Sequence, residues 1–440
     1  MHGGTNRLLV KALFASFVLG CGLETSVAVV TTAQAPPVMS DSDRQVARIM
    51  LRQIRDDLTK EYYDPAFHGL DMPARFSEAE ALINRASSAS DATGVIADVL
   101  LHLDDSHTTF FPPQRSTRVE YGWRMAMVGD APLVVAVKDG SDAAAKGLAP
   151  GDRILSVNRY QPDRKNLWQI AYLYQVLRPQ VQQHVVLRKP DGAEHTIDVL
   201  SKTTNKPVGQ FTDFVDDMVD SMRAVLDRQQ PIGADILVWK MPGFRDPKFV
   251  DEGIKKARRC KTLILDLRGN GGGLIVTLDA LVGRVFDREV LVGTEKWRAK
   301  ETKEIVRPAK DGFTGRLIVL VDSRSASAAE IFARVVQLEK RGTVIGDRTA
   351  GAVMTSRQFG HTVGVGAMAF YGASITVSDV RMSDGGSLEK VGVTPDEVAL
   401  PSPADLAASR DPVLARAVAI AGGEITPEQA GALFGKSDVR

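Results

Sequence analysis

A chain of 440 residues is long enough for two or three domains of ordinary size. Its hydrophobic fraction of 44% and charged fraction of 25% are those of a globular protein, and 55 basic residues against 54 acidic ones leave a net charge of +1. So even a balance, with both signs interspersed, excludes a nucleic-acid-binding stripe or a strongly charged partner as the organising feature.

At the N-terminus, Arg7 and Lys11 precede the apolar run "ALFASFVLGCGL". Its length of about a dozen residues fits a secretory h-region and is too short to span a bilayer. Two processing routes are open. "VLGC" at Val18–Cys21 resembles a lipobox, which would leave a lipid anchor on Cys21. Ordinary cleavage would fall near Ala28 or at "AQA", Ala33–Ala35, where Pro36 opposes the later cut. Either route reads as export, periplasmic or extracellular, with residues 1–35 as the signal. Cys21 and Cys260 are the two cysteines, so the mature chain has no intramolecular disulfide, and Cys260 reads as a bystander thiol.

Residues 36–113 read as a helical region. Pro36 to Asp43 is a polar linker, after which Val46, Ile49, Met50, Ile54 and Leu58 recur at helical spacing. "FSEAEALINRA" and "DATGVIADVLLHL" continue the pattern, with Ser77 and Asp91 as expected N-caps. The region ends at "LDDSHTTFFPP".

Residues 114–204 change character. "APLVVAV" reads as a strand, "GLAPGDRILSVN" as a glycine-flanked turn into a second strand, and "QHVVLRKPDGAEHTIDVL" as a hairpin turning at Asp191-Gly192. "GLxPGDxIxxVN" in that order resembles a PDZ domain. The resemblance implies capture of extended peptides, often by their C-termini, along a sheet edge. The weakest part of the match is the carboxylate loop, for which "YGWRMAM" at Tyr121–Met127 is the candidate; a spacer that binds nothing is the competing reading.

From 205 to 402, beginning in earnest near Phe211, the runs "ADILVWKM", "KTLILDLRG", "RLIVLVD" and "RGTVIGD" alternate with helical stretches "KFVDEGIKKA" and "AAEIFARVVQLEK". Near-continuous apolar strands between helices predict an α/β layer with a buried sheet. The tail, 403–440, carries one expected helix, "DPVLARAVAIA".

Two stretches of the α/β region invite chemistry. "LILDLRGNGGGLI" runs a strand into Gly269, Gly271, Gly272 and Gly273. It fits neither the dinucleotide fingerprint nor the Walker pattern. What remains is a sharp turn exposing backbone N–H groups, half of an oxyanion hole. "SRSASAAEIFA", Ser323–Ala333, places three serines where a strand becomes a helix. Ser327-Ala-Ala-Glu330 fits a capping box, and a serine at a helix N-terminus is also well placed as a nucleophile, because dipole and free amides favour developing negative charge. A nucleophilic serine needs a base. Of seven histidines, His107 stands out, where a helix ends among small polar residues in "LDDSHT".

"LDDSHT", "LDLRGNGGG", "SASAAEIFA", "GDRTAGA" and "LEKVGVTPD" occur in that order, over roughly Arg44 to Leu400. Together they resemble the C-terminal processing peptidases and their tricorn-core relatives. The resemblance implies a crotonase-like α/β catalytic domain with a helical N-terminal region and an inserted PDZ-like domain. It implies Ser327 as nucleophile, chosen over Ser323 and Ser325, with the amides of Gly271 or Gly272 and of Ala328 as oxyanion donors. The processing-peptidase branch takes its base from a lysine 25 residues beyond the nucleophile; here that position is Ala352. The tricorn-like branch uses a serine–histidine pair with a glutamate, which match Ser106, His107 and Glu389. The expected reaction is peptide hydrolysis through an acyl-enzyme, on peptides or unfolded protein termini, without metal or cofactor. The rival reading is a non-catalytic peptide- or ligand-binding protein that retains the peptidase fold.

Overall fold

The computed structural model describes residues 39–115, 117–205, 228–364 and 369–434. The signal segment, Cys21 and the stretch around Phe211 lie outside the described residues.

The described residues open with three α-helices: α1 (Asp41–Glu61), α2 (Met72–Asn84) and α3 (Ala89–Leu101). Ser40 caps α1 in a full capping box with Asp43. The expected caps Ser77 and Asp91 both fall inside helices. Pro73 in the first turn sets the start of α2 earlier, with Asp71 as cap. Ser88, whose hydroxyl accepts from Asp91 N–H at 3.1 Å, caps α3. The apolar faces of the three helices, including Ile54, Leu58, Ile83 and Ile96, pack against β1 (Thr109–Phe111) and a long hairpin near the far end of the sequence.

The next segment holds β2 (Thr117–Glu120), β3 (Trp123–Val128), β4 (Ala131–Val137), α4 (Asp142–Ala145), β5 (Arg153–Val157), α5 (Leu167–Tyr172), β6 (Gln182–Arg188), β7 (Glu194–Leu200) and β8 (Lys202–Asn205). β3 to β7 form one antiparallel sheet in sequence order with its own core around Val134, Ile154, Val185 and Leu187. β2 pairs with β8, so the segment enters and leaves through one ribbon. Most of "YGWRMAM" is not a loop: Trp123–Val128 is strand β3, because each of its residues pairs across to β4.

The remaining strands make two sheets. One has the order β18-β15-β14-β11-β10-β9, from β9 (Arg228–Ile232), β10 (Ile236–Lys240), β11 (Thr262–Asp266), β14 (Arg316–Val321), β15 (Gly342–Gly346) and β18 (Glu397–Val398). All its pairings are parallel except β9–β10. Both faces are apolar, as the continuous runs predict. Leu237, Trp239, Leu263, Leu265, Leu317 and Val319 face α6 (Pro247–Ala257), α7 (Ile275–Val285) and α8 (Ala328–Leu338), while Val238, Ile264, Ile318 and Leu320 face the tail. Among the described residues the tail has three helices rather than one: α9 (Pro403–Ala407), α10 (Pro412–Ile420) and α11 (Pro427–Ala432), each with proline in its first turn behind a hydroxyl or carboxylate cap. The second sheet is antiparallel, from β1, β12 (Val290–Trp297), β13 (Glu301–Val306), β16 (Met354–Val363) and β17 (Ala369–Met382).

Three ties position the loops above the parallel sheet. Arg268, just past β11, bridges Asp266 beneath it and Asp411 at the cap of α10, with contacts of 2.7–2.9 Å. Arg164 of the five-stranded segment reaches both oxygens of Asp347 (2.7 and 2.8 Å), whose Oδ2 also accepts from Gly129 N–H. Ser323 Oγ donates to Met127 C=O at 2.5 Å.

Candidate active site

Ser327 sits between β14 and α8, at φ 56° and ψ −121°. That left-handed conformation costs a non-glycine residue about 1–3 kcal/mol and persists only where its surroundings impose it. Those surroundings are specific. Ser327 N–H donates to Ala352 C=O (2.8 Å) and to Glu330 Oε2 (3.1 Å). Glu330, fully buried, also accepts from Thr349 Oγ1, Gly351 N–H and Ala352 N–H at 2.5–2.9 Å. Burial pushes its carboxyl up to about 6 against these four donors. The Glu330 amide bonds the Ser327 carbonyl at 2.9 Å while the Glu330 carboxylate takes the Ser327 N–H, so the S-x-x-E pattern pins the serine backbone. The neighbouring serines are structural: Ser325 is buried and donates to Leu267 C=O (2.8 Å), and Ser323 holds Met127.

The glycine turn lies directly against Ser327. A Cβ on Gly272 would stand 2.6 Å from Ser327 Cβ and 3.1 Å from Ala328 N, at a φ of +92° that itself disfavours side chains. Buried Asn270 shapes the turn, donating to Met241 C=O (2.8 Å) and accepting from Gly272 N–H (2.8 Å). Gly272 N–H is therefore engaged. Among the described residues Gly271 N–H has no such partner, and a Cβ there would meet nothing within 4 Å. The Ala328 amide, first of α8, is one of the orphan donors of a helix N-terminus. Beyond the turn, Leu274, Ile275 and Val276 are 53%, 39% and 59% exposed, an apolar rim beside these amides.

Histidine 107 arrives from the other end of the sequence, on the loop between α3 and β1. Ser106 Oγ lies 2.7 Å from His107 Nδ1 and donates to Glu389 Oε2 at 2.8 Å, while Ser106 N–H donates to Glu389 Oε1 at 2.9 Å. An ionised carboxylate only accepts, so the Ser106 proton goes to Glu389 and its oxygen accepts from His107 Nδ1–H. That assigns the Nδ1–H tautomer and leaves Nε2 with a free lone pair. Burial lowers the His107 ring below the ordinary histidine range, partly opposed by the charge of Asp105. Burial raises Glu389, opposed by its donors Val353 N–H and Ser106.

One peptide group joins the two halves. The Ala352–Val353 unit accepts from Ser327 through its carbonyl and donates to Glu389 Oε2 through its N–H (2.9 Å). Ser327 N–H, this peptide, Glu389, Ser106 and His107 are thus linked by four contacts, none longer than 2.9 Å. Among the described residues no hydrogen bond joins Ser327 Oγ to the His107 ring directly. Lys390 pairs with Asp104 on the surface, a second tie between the loops and not a member of the chain of contacts. Each other described histidine except exposed His195 has a partner elsewhere: His68 meets Tyr62, His102 Asp98, His184 Asp198 and His361 Asp57.

Sequence reasoning did not single out Asn270, the Ala352–Val353 peptide or the carboxylate of Asp105. Position 352 was visible there only as the place of a missing lysine; its carbonyl is what the site uses.

Residues 235–399 match the model of peptidase family S41. The chain is 24% identical over 331 residues to the tail-specific protease of Haemophilus influenzae, an alignment covering 70% of this chain and 46% of that protein. It is 32% identical over 161 residues to putative tricorn protease homolog 2 of Streptomyces coelicolor, covering 36% of this chain and 13% of that one. The match thus spans less than half the length of either relative. Among solved structures, mature CPAF complexed with lactacystin superposes with a TM-score of 0.61 at 15% identity, over 83% of this chain and 96% of that one, which is a likeness of fold.

Proposed function

We propose, from the match of residues 235–399 to the model of peptidase family S41, that this chain is an exported serine peptidase that cleaves peptides or unfolded protein termini. Ser327 is the nucleophile. His107 Nε2 takes its proton during attack and returns it to the leaving amine, a positioned transfer worth roughly 10²–10⁴-fold. Ser106 and Glu389 hold the ring in the required tautomer and spread the charge of the imidazolium. The amides of Ala328 and Gly271 receive the tetrahedral oxyanion, each donor worth about 3 kcal/mol; Gly272 has its amide turned to Asn270. Substrate binding closes the gap between Ser327 Oγ and the ring, as hydrogen bonds loose in free enzymes tighten in the reacting complex.

The observation that carries this reading is the unbroken series of contacts from Ser327 N–H to His107 Nδ1. It joins residues far apart in sequence and has no need in a mere binding fold for the Nδ1-protonated ring it produces. The same reading divides the chain into a signal (1–35), a helical region carrying the base (36–113), a PDZ-like domain (114–204), a crotonase-like catalytic domain (205–402) and a helical tail (403–440). The PDZ-like domain presents substrate ends to a cleft whose apolar rim accepts their side chains.

Incubation with an unstructured polypeptide bearing a free C-terminus tests the proposal. Fragments should accumulate with the wild-type protein and not with Ser327→Ala. Intact substrate with folded wild-type protein, across peptides of varied termini, would instead support the binding protein.

A further inference from the structure

The residue two before His107 is a buried carboxylate that the mechanism so far leaves unused. Asp105, 7% exposed, makes no hydrogen bond to Ser106 or Glu389 among the described residues and has partners of its own. Its Oδ1 accepts from His107 N–H (2.9 Å), Thr108 N–H (2.7 Å) and Thr376 Oγ1 (2.8 Å). Its Oδ2 accepts from Tyr62 O–H and Thr108 Oγ1, both at 2.9 Å. The loop is thereby stapled to the end of α1 and to β17 at once. Thr376 N–H donates to Thr108 Oγ1 at 3.1 Å, a second tie between the loop and β17.

All five donors are neutral. No cation pairs with Asp105 among the described residues, although a carboxylate buried without one carries a desolvation penalty that no opposite charge offsets. Shaping the turn does not require the charge: an asparagine side-chain oxygen accepts from residues two and three ahead equally well. The charge has a use if the group it faces becomes positive during turnover. The catalytic ring does so, and its other neighbour, Ser106, is neutral.

We propose that Asp105 is a positioning residue for the reaction of the preceding subsection: its carboxylate fixes the backbone that carries His107 and supplies the buried negative charge that stabilises the imidazolium formed when Ser327 attacks. The inference rests on His107 as the base. Two carboxylates then flank the ring by different routes, Glu389 through Ser106 and Asp105 through space and the His107 amide. The other ionisable groups that feel Asp105 are Tyr62 and Tyr63 at the end of α1 and Glu389; His68 donates to Tyr62 from Nε2 at 2.9 Å, and Asp64 with Asp379 and Arg381 of β17 lies by the tyrosines. Removing the Asp105 charge leaves burial unopposed on the ring, so His107 should protonate at lower pH.

The ring titration can be read without turnover, by NMR of histidine-labelled Ser327→Ala protein, with the His107 signal assigned by its loss in His107→Gln. Adding Asp105→Asn should move the His107 midpoint down by half a pH unit or more, and in the Ser327-containing enzyme the acid limb of kcat/KM should shift in the same direction. Asp105→Glu, which keeps the charge, should return the midpoint towards its original value. An unchanged midpoint in folded Asp105→Asn protein overturns the proposal. If Asp105→Asn does not fold, Asp105→Ser, which also removes the charge and leaves a hydroxyl to accept from the turn amides, is read in the same way, and an unchanged His107 midpoint in it refutes the inference. Failure of the peptidase reading shows separately, as intact substrate with folded wild-type protein, and failure of His107 as its base shows as full activity of His107→Ala.

Discussion

The loop Asp104–Thr108 holds its imidazole with side chains, whereas the loops at Gly269–Gly273 and Asp322–Ala328 hold the serine with backbone. In the first, Asp105 gathers five donors from α1, the loop itself and β17, and every backbone angle except that of Asp104 is ordinary. In the second, Ser327 is held at φ 56° by its own N–H bonds and by a glycine turn so close that one methyl would collide. A site held by side chains should tolerate shape-preserving substitutions and report their electrostatics. A site held by backbone should fail where an added atom meets that backbone.

The largest effect tests the serine itself. Ser327→Ala should lower kcat by about 10⁴-fold or more in a quenched-peptide assay, since a nucleophile removed from a cooperating set costs nearly the whole covalent pathway. His107→Ala should cost roughly 10²–10⁴-fold, and the wild-type rate should fall with acid through a midpoint below the ordinary histidine value of about 6.5, because burial disfavours the cation and the protonated ring cannot accept. A midpoint above that value would contradict the burial argument.

Gly272→Ala should cost on the order of 10²-fold in kcat by displacing Ser327, the scale of a 1 Å error in catalytic geometry. Gly271→Ala, where an added Cβ meets nothing, should cost far less. Equal losses at the two glycines would erase the contrast drawn above. The smallest effect concerns the tie between the five-stranded segment and the loop that follows β15. Arg164→Ala should lower stability to denaturant by about 2 kcal/mol, as expected for losing charge-assisted hydrogen bonds at a buried carboxylate. A coincident fall in kcat would show that Asp347 transmits position to Ala352.

The parallel sheet was legible in the sequence because four apolar runs had no polar alternation, which only burial on both faces explains. Helix starts were less legible: Ser77 and Asp91 resemble caps, but proline in one helix and Ser88 in the other moved the boundaries by several residues. The tail hid two short helices because neither has the length for a periodic pattern. Ser327, His107, Ser106 and Glu389 could be named from ordered motifs, since each motif is local. Glu330 was visible only as a cap, and its grip on Thr349, Gly351 and Ala352 is non-local. Asp105 carried a turn signature, an acid two residues before an amide it could bind, but nothing in the sequence says that Tyr62 and Thr376 close over it.

Covalent labelling with a fluorophosphonate, mapped to its site by peptide mass spectrometry across a pH series, tests the central claim most directly. The account predicts a single adduct on Ser327, formed at a rate that rises with pH through the His107 midpoint and collapses in His107→Ala. Folded wild-type protein that takes no label, or takes it on another residue, would contradict it.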